Sequence, residues 1–449
     1  MKIGIIGVGY VGLTTAICLA SMKHEISIFD INEEKIKQIR EKKLPFFEKG
    51  LQEILENVIS SGNLIPAKNL NELVDNTEGC FICVGTPTKS NSIDLTQIIS
   101  AVKSLTDSIK HNDKNDYKII IRSTIIPNTA RNTILPILSD KLSELKFGLC
   151  VAPEFLREGN ALDDFMNPDK IVIGSSDKNS IIFVKKIFQN FKDRCEFIET
   201  SLESAELIKY TNNAFFSMLI SFSNEIANIS EKIPGVDSHE ILKALISDKR
   251  ITSIVNNERI VPGLESYLIP GCGFGGSCFP KDIQAILDYA NKNKIKTPLL
   301  KAILEINAER PNKMVTLSES ILGTLKNKKV SILGLTFKPE TDDLRSSPAL
   351  DAIEILLEKG ANISTFDPIL KSKPDLVKLP KDCKICFRIE DALRDSDVAM
   401  IFTKWSEFKS LDTKFLKQFM KNPIIIDGRG FLDKEKFDVG TYFKIGYSE

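Results

Sequence analysis

The fold is decided by the amino-terminal stretch Met1-Lys-Ile-Gly-Ile-Ile-Gly7-Val-Gly9-Tyr-Val11-Gly12. Its first six residues predict a short buried strand, and the apolar run 13–20 that comes next predicts a helix. A second apolar run, 26–29, predicts a strand that ends in Asp30. Strand, glycine-rich turn, helix, strand and acidic residue in this order indicate a dinucleotide-binding βαβ unit, with a non-binding α/β domain as the alternative.

The glycines and the aspartate of this unit each meet a physical requirement of dinucleotide binding. Gly7 permits the tight turn, Gly9 lets the backbone approach a pyrophosphate on the helix N-terminus, and Gly12 allows close packing of helix on strand. Asp30 lies 18 residues beyond Gly12, where a carboxylate can bind the adenosine ribose. The same carboxylate would repel a 2′-phosphate, so the sequence predicts NAD rather than NADP.

Composition limits the remaining possibilities. The 449 residues suffice for two to three domains. Sixty basic residues balance sixty acidic ones, which argues against a nucleic-acid partner. No apolar run is long enough for a membrane span, and the amino terminus predicts a strand rather than a signal peptide. We therefore expect a cytoplasmic protein whose nine cysteines are mostly reduced core thiols.

Two C-x-x-C pairs, Cys80/Cys83 and Cys383/Cys386, raise the possibility of a zinc site. Both pairs lie in predicted strands, where residues three apart point to opposite faces. We predict no metal site. The three histidines belong to no motif, which argues against catalysis by a histidine triad.

Alternating strand and helix signals extend from Met1 to about Thr200, a long helix is predicted from Ser204 to about Ile233, and alternation returns at Lys329. This pattern predicts an α/β protein with two Rossmann-like, doubly wound domains joined by a central helical domain with a long helix. We expect domains at 1–200, 201–310 and 311–449.

The third domain repeats the order of the first but lacks its glycine fingerprint. After the predicted strand 329–334 it carries Lys338 and Arg345. These side chains either contact the phosphate of a different nucleotide or form surface pairs with Asp342 and Asp343.

A reactive cysteine is predicted in Gly273-Phe-Gly-Gly-Ser-Cys278-Phe-Pro-Lys281-Asp282. The proline and the apolar pattern after it predict a helix that begins just beyond Cys278. The positive end of that helix and nearby Lys281 both favour the thiolate, the form of cysteine that attacks carbon. A buried, inert cysteine in a turn is the alternative.

Lys209 and Asn213 lie four residues apart in the long helix and therefore share one face. A cation beside an amide donor can stabilise an oxyanion on a carbon that a cysteine attacks. A lysine that reaches water along the helix surface is the alternative, and the local sequence favours it.

Three loops come after predicted strands of the first domain, at the edge where open α/β sheets bind ligands. The hydroxyls of Thr86 and Thr124 are candidates to hold a cofactor or a water, and the carboxylates of Glu154 and Glu158 to orient a water or act as a base. Turn or cap roles are the alternatives. The loops are Val84–Pro87, Arg122–Pro127 and Ala152–Gly159.

Together these segments resemble the UDP-glucose/GDP-mannose dehydrogenase family, the NAD-dependent four-electron dehydrogenases of nucleotide sugars. The resemblance covers nearly the whole chain, from residue 4 to about 430. The matching segments are Gly7–Gly12, Val84–Pro87, Ser123-Thr124, Pro153–Gly159, Lys209 with Asn213, Gly273–Asp282 and Gly334–Pro348.

The resemblance implies a role for each matching residue. Cys278 would be the nucleophile, supported by Lys209, Asn213 and Asp282, and Thr124 and Glu154 would order or activate a hydrolytic water. The residues implied to contact NAD are Val11, Asp30, Lys35, Thr86, Thr124, Glu158, Lys281 and Arg345. The residues implied to line the nucleotide-sugar site are Glu154, Phe155, Leu156, Arg157, Lys209, Asn213, Tyr267 to Gly271, Gly275 and Lys338.

The resemblance also implies the chemistry. Two hydride transfers to NAD would oxidise C6 of the sugar to a carboxylate, through a thiohemiacetal and a thioester on Cys278. UDP-glucose is the favoured substrate and GDP-mannose or another UDP-sugar the alternative. Ser277 stands where the N-acetyl-hexosamine branch usually has a histidine. A homodimer or larger homo-oligomer that supplies a uronate for polysaccharide synthesis is expected, and an inactive sugar-nucleotide-binding scaffold is the rival class.

One segment departs from the family pattern. Residues 252–266 separate Arg250-Ile251 from Tyr267, where family members usually have only a few residues. Arg259-Ile260 is a second candidate for the role of the first pair. The substrate loop of this chain is therefore expected to differ in shape.

Overall fold

The computed structural model describes residues 1–89 and 92–448. The chain divides into two compact units, Met1–Asn212 and Asn213–Glu449. The finer division at residues 200 and 310 stays a prediction. None of the helices formed by the described residues is both long and apolar enough to cross a membrane.

The first unit alternates strands and helices. Its strands are β1 (Lys2–Ile6), β2 (Glu25–Phe29), β3 (Leu64–Pro66), β4 (Gly79–Ile82), β5 (Thr88–Lys89), β6 (Ser92–Ile93), β7 (Tyr117–Ile121), β8 (Phe147–Val151), β9 (Lys170–Gly174) and β10 (Glu196–Thr200). Its helices are α1 (Tyr10–Ser21), α2 (Glu33–Arg40), α3 (Leu51–Ser60), α4 (Leu70–Asp75), α5 (Thr96–His111), α6 (Leu135–Lys141, after a π-helical segment Ala130–Ile134), α7 (Ala161–Met166) and α8 (Lys178–Ile187). Helix α9 (Leu202–Ser230) contains the boundary between the units.

The second unit begins with helices and ends with a second sheet. Its helices are α10 (Ser238–Ile246), α11 (Phe279–Lys292), α12 (Pro298–Leu322), α13 (Pro348–Glu358), α14 (Ile389–Leu393) and α15 (Thr413–Phe419). Its strands are β11 (Ser253–Val255), β12 (Glu258–Ile260), β13 (Lys329–Leu333), β14 (Asn362–Phe366), β15 (Cys383–Cys386), β16 (Val398–Ile401), β17 (Ile425–Asp427) and β18 (Tyr442–Lys444).

The large sheet of the first unit has the strand order β10-β9-β8-β7-β4-β1-β2-β3. The inner strands β1, β4, β7 and β8 are buried on both faces, as parallel strands covered on both sides must be. In β7, for example, Ile120 enters one core cluster while Ile119 and Ile121 enter the other. Neighbouring strands of this sheet are parallel except β8 and β9, which are antiparallel and paired at Val151 and Gly174. The order changes direction between β1 and β4, where such sheets bind ligands.

The sheet of the second unit has the order β15-β14-β13-β16-β17-β18, and its described pairs are all parallel. The predicted strands and helices match the observed ones to within about three residues at each end. The predicted fold class is therefore confirmed, with two Rossmann-like sheets and a central helical region that contains the predicted long helix α9; α12 is nearly as long.

The additional residues before Tyr267 form an exposed hairpin, β11–β12. Its two-residue turn, Asn256-Asn257, has φ values of 51° and 63°, as a type I′ turn requires. The guanidinium group of Arg250 pairs with Asp248, and Arg259 donates to the carbonyl oxygen of Ser247.

Candidate active site

The first glycine turn has the geometry that its sequence predicts. Gly7 has a φ of 91°, and a Cβ atom there would lie 2.9 Å from the backbone nitrogen of Val84. A Cβ atom on Gly12 would lie 1.9 Å from the carbonyl oxygen of Gly7. A Cβ atom on Gly9 would meet nothing within 4 Å, and no side chain caps the start of α1 at Gly9. The turn therefore has both the tight packing and the open helix N-terminus that a pyrophosphate needs.

Asp30 lies directly beyond β2 and closes this turn. One carboxylate oxygen accepts the backbone N–H of Val8 at 2.7 Å, and the other accepts that of Asn32 at 2.8 Å. Val11 lies partly exposed in the first turn of α1, and Lys35 lies partly exposed in the first turn of α2. Both belong to the elements that flank Asp30, as the predicted NAD contacts require.

The two loops that lie directly beyond β4 and β7 are joined by hydroxyl groups. Thr86 donates from Oγ1 to the carbonyl oxygen of Thr124 at 2.7 Å. Ser123 donates from Oγ to the carbonyl oxygen of Val84, also at 2.7 Å. The Thr86 hydroxyl thus fixes the Thr124 loop, and the side chain of Thr124 remains partly exposed.

A buried ion pair joins the loop after β8 to α9. The Lys209 Nζ atom lies 3.0 Å from Oε1 of Glu154, and both side chains are only 5–6% exposed. The other Glu154 oxygen accepts the N–H of Leu156 at 2.5 Å, and Lys209 also lies 5.5 Å from the ring centre of Phe155. The local prediction that Lys209 reaches water is therefore wrong.

The remaining residues of this loop have different surroundings. Arg157 is exposed and pairs with Asp164 through both Nε and Nη2. Glu158 lies next to Gly159, whose N–H donates to Glu48 at 2.8 Å and to the Tyr10 hydroxyl at 3.1 Å. Burial and the Glu48 carboxylate raise the pKa of Tyr10 well above its ordinary value. No sequence pattern indicates the contact between Glu48 and Gly159, because 111 residues separate the two partners.

In the second unit, Cys278 is the cap residue at the start of α11, as predicted. Its carbonyl oxygen accepts the N–H of Asp282 at 2.9 Å, and its sulfur lies 3.4 Å from the Ser277 hydroxyl. Cys278 is partly exposed. By contrast, burial raises the pKa of Cys18, Cys83 and Cys150 to about 12. These three are protonated core thiols at neutral pH.

The side chain of Asp282 is buried and accepts two donors. Asn213 donates from Nδ2 to one carboxylate oxygen at 2.6 Å, and Lys281 donates from Nζ to the other at 2.5 Å. Asn213 is 4% exposed and Asp282 is 1% exposed. The structure thus joins three of the predicted residues directly behind the start of the helix that Cys278 caps.

The glycines before Cys278 are packed against the second sheet's loops. A Cβ atom on Gly271 would lie 2.4 Å from the Gly428 carbonyl oxygen, and one on Gly275 would lie 2.1 Å from that of Ser346. Tyr267 ends a short 3₁₀ helix, and its ring centre lies 4.4 Å from that of Phe216. Close backbone packing, rather than flexibility, therefore explains these glycines.

The structure shows the surface-pair alternative for one of the two cations after β13, and phosphate contact by either cation stays a prediction. Arg345 pairs with Asp343 through Nε and Nη2, at 2.8 Å each, as the surface-pair alternative predicts. Lys338 lies 5.4 Å from the ring centre of Phe337, and Asp342 pairs instead with Lys373.

Two arginines that the sequence did not single out hold the loop before Cys278. Arg429 donates to the carbonyl oxygens of Gly273 at 2.8 Å, Phe402 at 2.6 Å and Phe337 at 3.4 Å. Buried Arg310 donates to that of Gly271 at 2.9 Å. The signal for Arg429 was present, because it lies beyond strand β17 and a glycine, as the ligand loops of the first sheet lie beyond their strands.

No group of three or more histidine, cysteine, aspartate or glutamate side chains that could hold a metal ion occurs within 1–89 and 92–448.

The first sheet has a dinucleotide turn, the second Rossmann-like sheet has none, and a cysteine lies at a helix start. This combination is typical of an NAD-dependent dehydrogenase with a second nucleotide domain. The chain matches three models of the UDP-glucose/GDP-mannose dehydrogenase family. These are its NAD binding domain (residues 1–192), its central domain (203–309) and its UDP binding domain (331–434). The chain belongs to this family, and it is an NAD-dependent nucleotide-sugar 6-dehydrogenase.

Individual relatives agree with this assignment. A UDP-glucose 6-dehydrogenase of Rickettsia bellii is 38% identical over 460 aligned positions, covering 99% of each chain. The structure of a UDP-glucose dehydrogenase from Pyrobaculum islandicum is 30% identical with a TM-score of 0.89, covering 99% of this chain and 98% of that one. A UDP-D-ManNAc dehydrogenase from Pyrococcus horikoshii is 25% identical with a TM-score of 0.82, covering 99% of each.

The first unit fits NAD on its own geometry. The uncapped start of α1 with open space at Gly9 suits a pyrophosphate, and the Asp30 carboxylate closes the same turn. Gly9 and Asp30 are the residues of this turn that would hold the cofactor.

Proposed function

We propose that this enzyme oxidises UDP-glucose to UDP-glucuronate in two NAD-dependent steps, with Cys278 as the covalent nucleophile. The observation that carries the proposal is the cluster of Asn213, Asp282 and Lys281 behind the helix start that Cys278 caps, in which Asn213 and Asp282 are buried and Lys281 is partly exposed. A nucleophile needs nearby groups that stabilise the negative charge on the carbonyl oxygen it attacks. This cluster supplies such groups beside a partly exposed thiol.

Each residue of the cluster has a distinct task. The carboxylate of Asp282 binds one N–H of the Asn213 amide and the ammonium group of Lys281. It thereby fixes their directions, and the amide keeps a second N–H for an oxyanion. The positive end of α11 adds to the stabilisation of charge at Cys278.

The covalent steps are consistent with this arrangement. NAD, when bound, supplies the hydride acceptor for both oxidations at C6 of the sugar. The Cys278 sulfur bonds to the aldehyde carbon, and the resulting alkoxide takes up a proton to give a thiohemiacetal. Loss of the second hydride together with the hydroxyl proton gives a thioester. Water then adds to the thioester carbon and the C–S bond breaks, which releases the carboxylate, a proton and the thiol.

Glu154 and Thr124, both in the first unit, are the residues for which we propose a role in handling water. Lys209 holds the Glu154 carboxylate in a buried pair at 3.0 Å. A carboxylate fixed in this way can orient or activate a hydrolytic water. We propose this role for Glu154 together with the partly exposed hydroxyl of Thr124.

UDP-glucose is proposed because the relative from Rickettsia bellii and the structure from Pyrobaculum islandicum both carry that activity in their names. The UDP-D-ManNAc dehydrogenase neighbour supports a second candidate, another UDP-sugar. The homo-oligomeric state and the cytoplasmic location stay predictions.

The nucleophile is tested by replacing Cys278 with Ala and with Ser. We expect Cys278→Ala to form the carboxylate about 10³-fold or more slowly than wild type while its NADH affinity stays unchanged. Serine forms an ester that lacks the reactivity of a thioester, so Cys278→Ser is expected to retain a covalently bound sugar nucleotide that intact-protein mass spectrometry detects. Full turnover by Cys278→Ala would remove the mechanism.

The substrate is tested by comparing kcat/KM for UDP-glucose, GDP-mannose and UDP-N-acetyl-mannosamine under identical conditions. We expect UDP-glucose to lead by at least about 100-fold, the range that a few hydrogen bonds in a pocket provide. A higher value for either other sugar would replace the proposed substrate and leave the cysteine mechanism in place.

A further inference from the structure

Glu206 is a buried carboxylate on α9 that has no role in the mechanism proposed above. Glu206 is only 2% exposed to solvent. Its Oε2 atom accepts the backbone N–H of Asn128 at 2.7 Å, and its Oε1 atom accepts that of Ala130, also at 2.7 Å. One side chain thus binds two amides of a loop that lies 76 to 78 residues away in the sequence.

The two amides belong to a turn that needs an outside partner. Asn128 has a φ of 71°, in the left-handed region that disfavours residues other than glycine. Ala130 begins the π-helical segment that continues into α6, and the first N–H groups of a helix have no partner within it. Glu206 therefore acts as a cap that is supplied by a different helix.

The same turn ends the loop that carries Thr124. At its beginning this loop is held by the Thr86 hydroxyl, which donates to the Thr124 carbonyl oxygen at 2.7 Å. At its end it is held by Glu206. Lys209, which binds Glu154, lies three residues beyond Glu206 on α9, so the two side chains lie on neighbouring positions of one helix face.

We propose that Glu206 is a positioning residue that holds the Thr124 loop in a fixed place relative to Lys209 and Glu154. The proposal rests on the roles proposed above for Thr124 and Glu154 and on the expectation from the family resemblance that Thr86 and Thr124 contact NAD. It predicts that the carboxylate acts through the NAD-binding loop and touches neither cofactor nor sugar.

The charge state of Glu206 gives the proposal a distinctive signature. Burial raises its pKa to about 7, the two backbone N–H groups oppose that rise, Glu203 adds to it and Arg131 opposes it. Above about pH 7 the Glu206 carboxylate is therefore ionised and accepts both N–H groups. Below that pH it becomes protonated and the double acceptor is lost. Because the pKa in the folded state exceeds the ordinary value of 4.5, this group makes folding less favourable as the pH rises from 4.5 to about 7.

The test compares Glu206→Gln with wild type and with Glu203→Gln. Glu203 lies one turn earlier on α9, and its carboxylate pairs with the Arg131 side chain rather than with the loop backbone. NADH affinity is measured by the fluorescence of the reduced nicotinamide ring at pH 6 and pH 8, without any sugar. We expect Glu206→Gln to bind NADH about tenfold more weakly than wild type at pH 8, since an amide cannot accept both N–H groups.

At pH 6 the difference in NADH affinity between Glu206→Gln and wild type should shrink to about twofold. Glu206 of the wild type is then mostly protonated and therefore neutral, as glutamine is. Glu203→Gln should match wild type at pH 8, where Glu206 is ionised in both proteins. Equal NADH affinity of Glu206→Gln and wild type at pH 8, or an equal ratio at both pH values, would overturn the proposal.

Glu206→Asp covers the case in which Glu206→Gln does not fold. The shorter carboxylate keeps the charge but reaches only one N–H, so we expect weaker NADH binding at pH 8 that still depends on pH. Wild-type affinity of this variant would also overturn the proposal. NADH binding does not depend on which sugar is oxidised. The NADH-binding test of Glu206 therefore stays valid even if UDP-glucose is not the substrate.

Discussion

The two Rossmann-like sheets begin with the same backbone turn but differ in the segment that comes after it. Gly7 and Gly334 come directly after the first strands β1 and β13, with φ values of 91° and 88°. Each donates its N–H to the last residue of the second strand, at 2.9 and 2.8 Å. Each sheet then places an aspartate, Asp30 or Asp367, beyond that strand.

The difference lies in the segment between this turn and the next helix. In the first sheet, α1 begins three residues after Gly7 with an uncapped N-terminus. In the second, residues 335–347 intervene before α13, and Ser347 caps that helix. A Cβ atom on Gly276 would lie 2.8 Å from the Phe337 ring of this intervening loop. The first sheet therefore leaves the start of its helix open, and the second extends its turn towards the glycine loop before Cys278.

The aspartates differ in the same way. Asp30 accepts two backbone N–H groups and is partly exposed. Asp367 is fully buried and accepts N–H or O–H groups from Leu335, Thr336, Ile369 and the Trp405 indole. A carboxylate occupied in this way cannot bind a ribose, which explains why the second sheet does not duplicate the NAD site.

The largest expected effect comes from breaking the feature that the sheets share. Gly7→Ala and Gly334→Ala should each destabilise the protein by about 4 kcal/mol, since each combines a left-handed φ with a backbone clash. A Cβ atom would lie 2.9 Å from the Val84 nitrogen in the first case and 2.7 Å from the Thr403 nitrogen in the second. Denaturant unfolding measures both. If either variant retained wild-type stability, the turns would not be equivalent.

A smaller, asymmetric effect is expected from the aspartates. Asp367→Asn should cost about 2–3 kcal/mol of stability, because the amide leaves a buried donor unpaired, and it should leave the KM for NAD unchanged. Asp30→Asn should cost less than about 1 kcal/mol yet raise the KM for NAD about tenfold, since an amide is a weaker ribose acceptor. Thermal unfolding and initial rates measure the two quantities. The reverse pattern would contradict the comparison.

The smallest stability effect is expected at Gly9. A Cβ atom there meets nothing within 4 Å, so Gly9→Ala should change the free energy of unfolding by less than about 0.5 kcal/mol. The methyl group would occupy the space that a pyrophosphate needs, so we expect the KM for NAD to rise about tenfold. Unchanged NAD kinetics would show that the open space is not the phosphate cradle.

The sequence predicted the elements that depend on local pattern. Buried parallel strands are apolar runs, and the glycine turn with its aspartate has a fixed spacing, so β1, α1 and β2 were placed correctly. Pro280 correctly indicated the helix start at Cys278. The β11–β12 hairpin was missed, although Asn256-Asn257 between two short β-rich runs is a hairpin signal.

Long-range polar contacts could not be predicted in this way. The Glu206 carboxylate binds amides 76 to 78 residues away, and Glu48 binds those of Gly159 and Ala161. The sequence also could not predict that β8 and β9 are antiparallel. The direction of a strand is set by its connection rather than by its composition. Burial of Lys209 likewise depends on Glu154, which only the fold brings near.

The most direct test of the four-electron mechanism is the amount of NADH formed from a limiting amount of UDP-glucose. Two NADH per UDP-glucose are predicted, because the thiohemiacetal on Cys278 permits the second hydride transfer. One NADH per sugar would contradict the mechanism, since it would mean that oxidation stops at the aldehyde and that Cys278 does not carry the sugar.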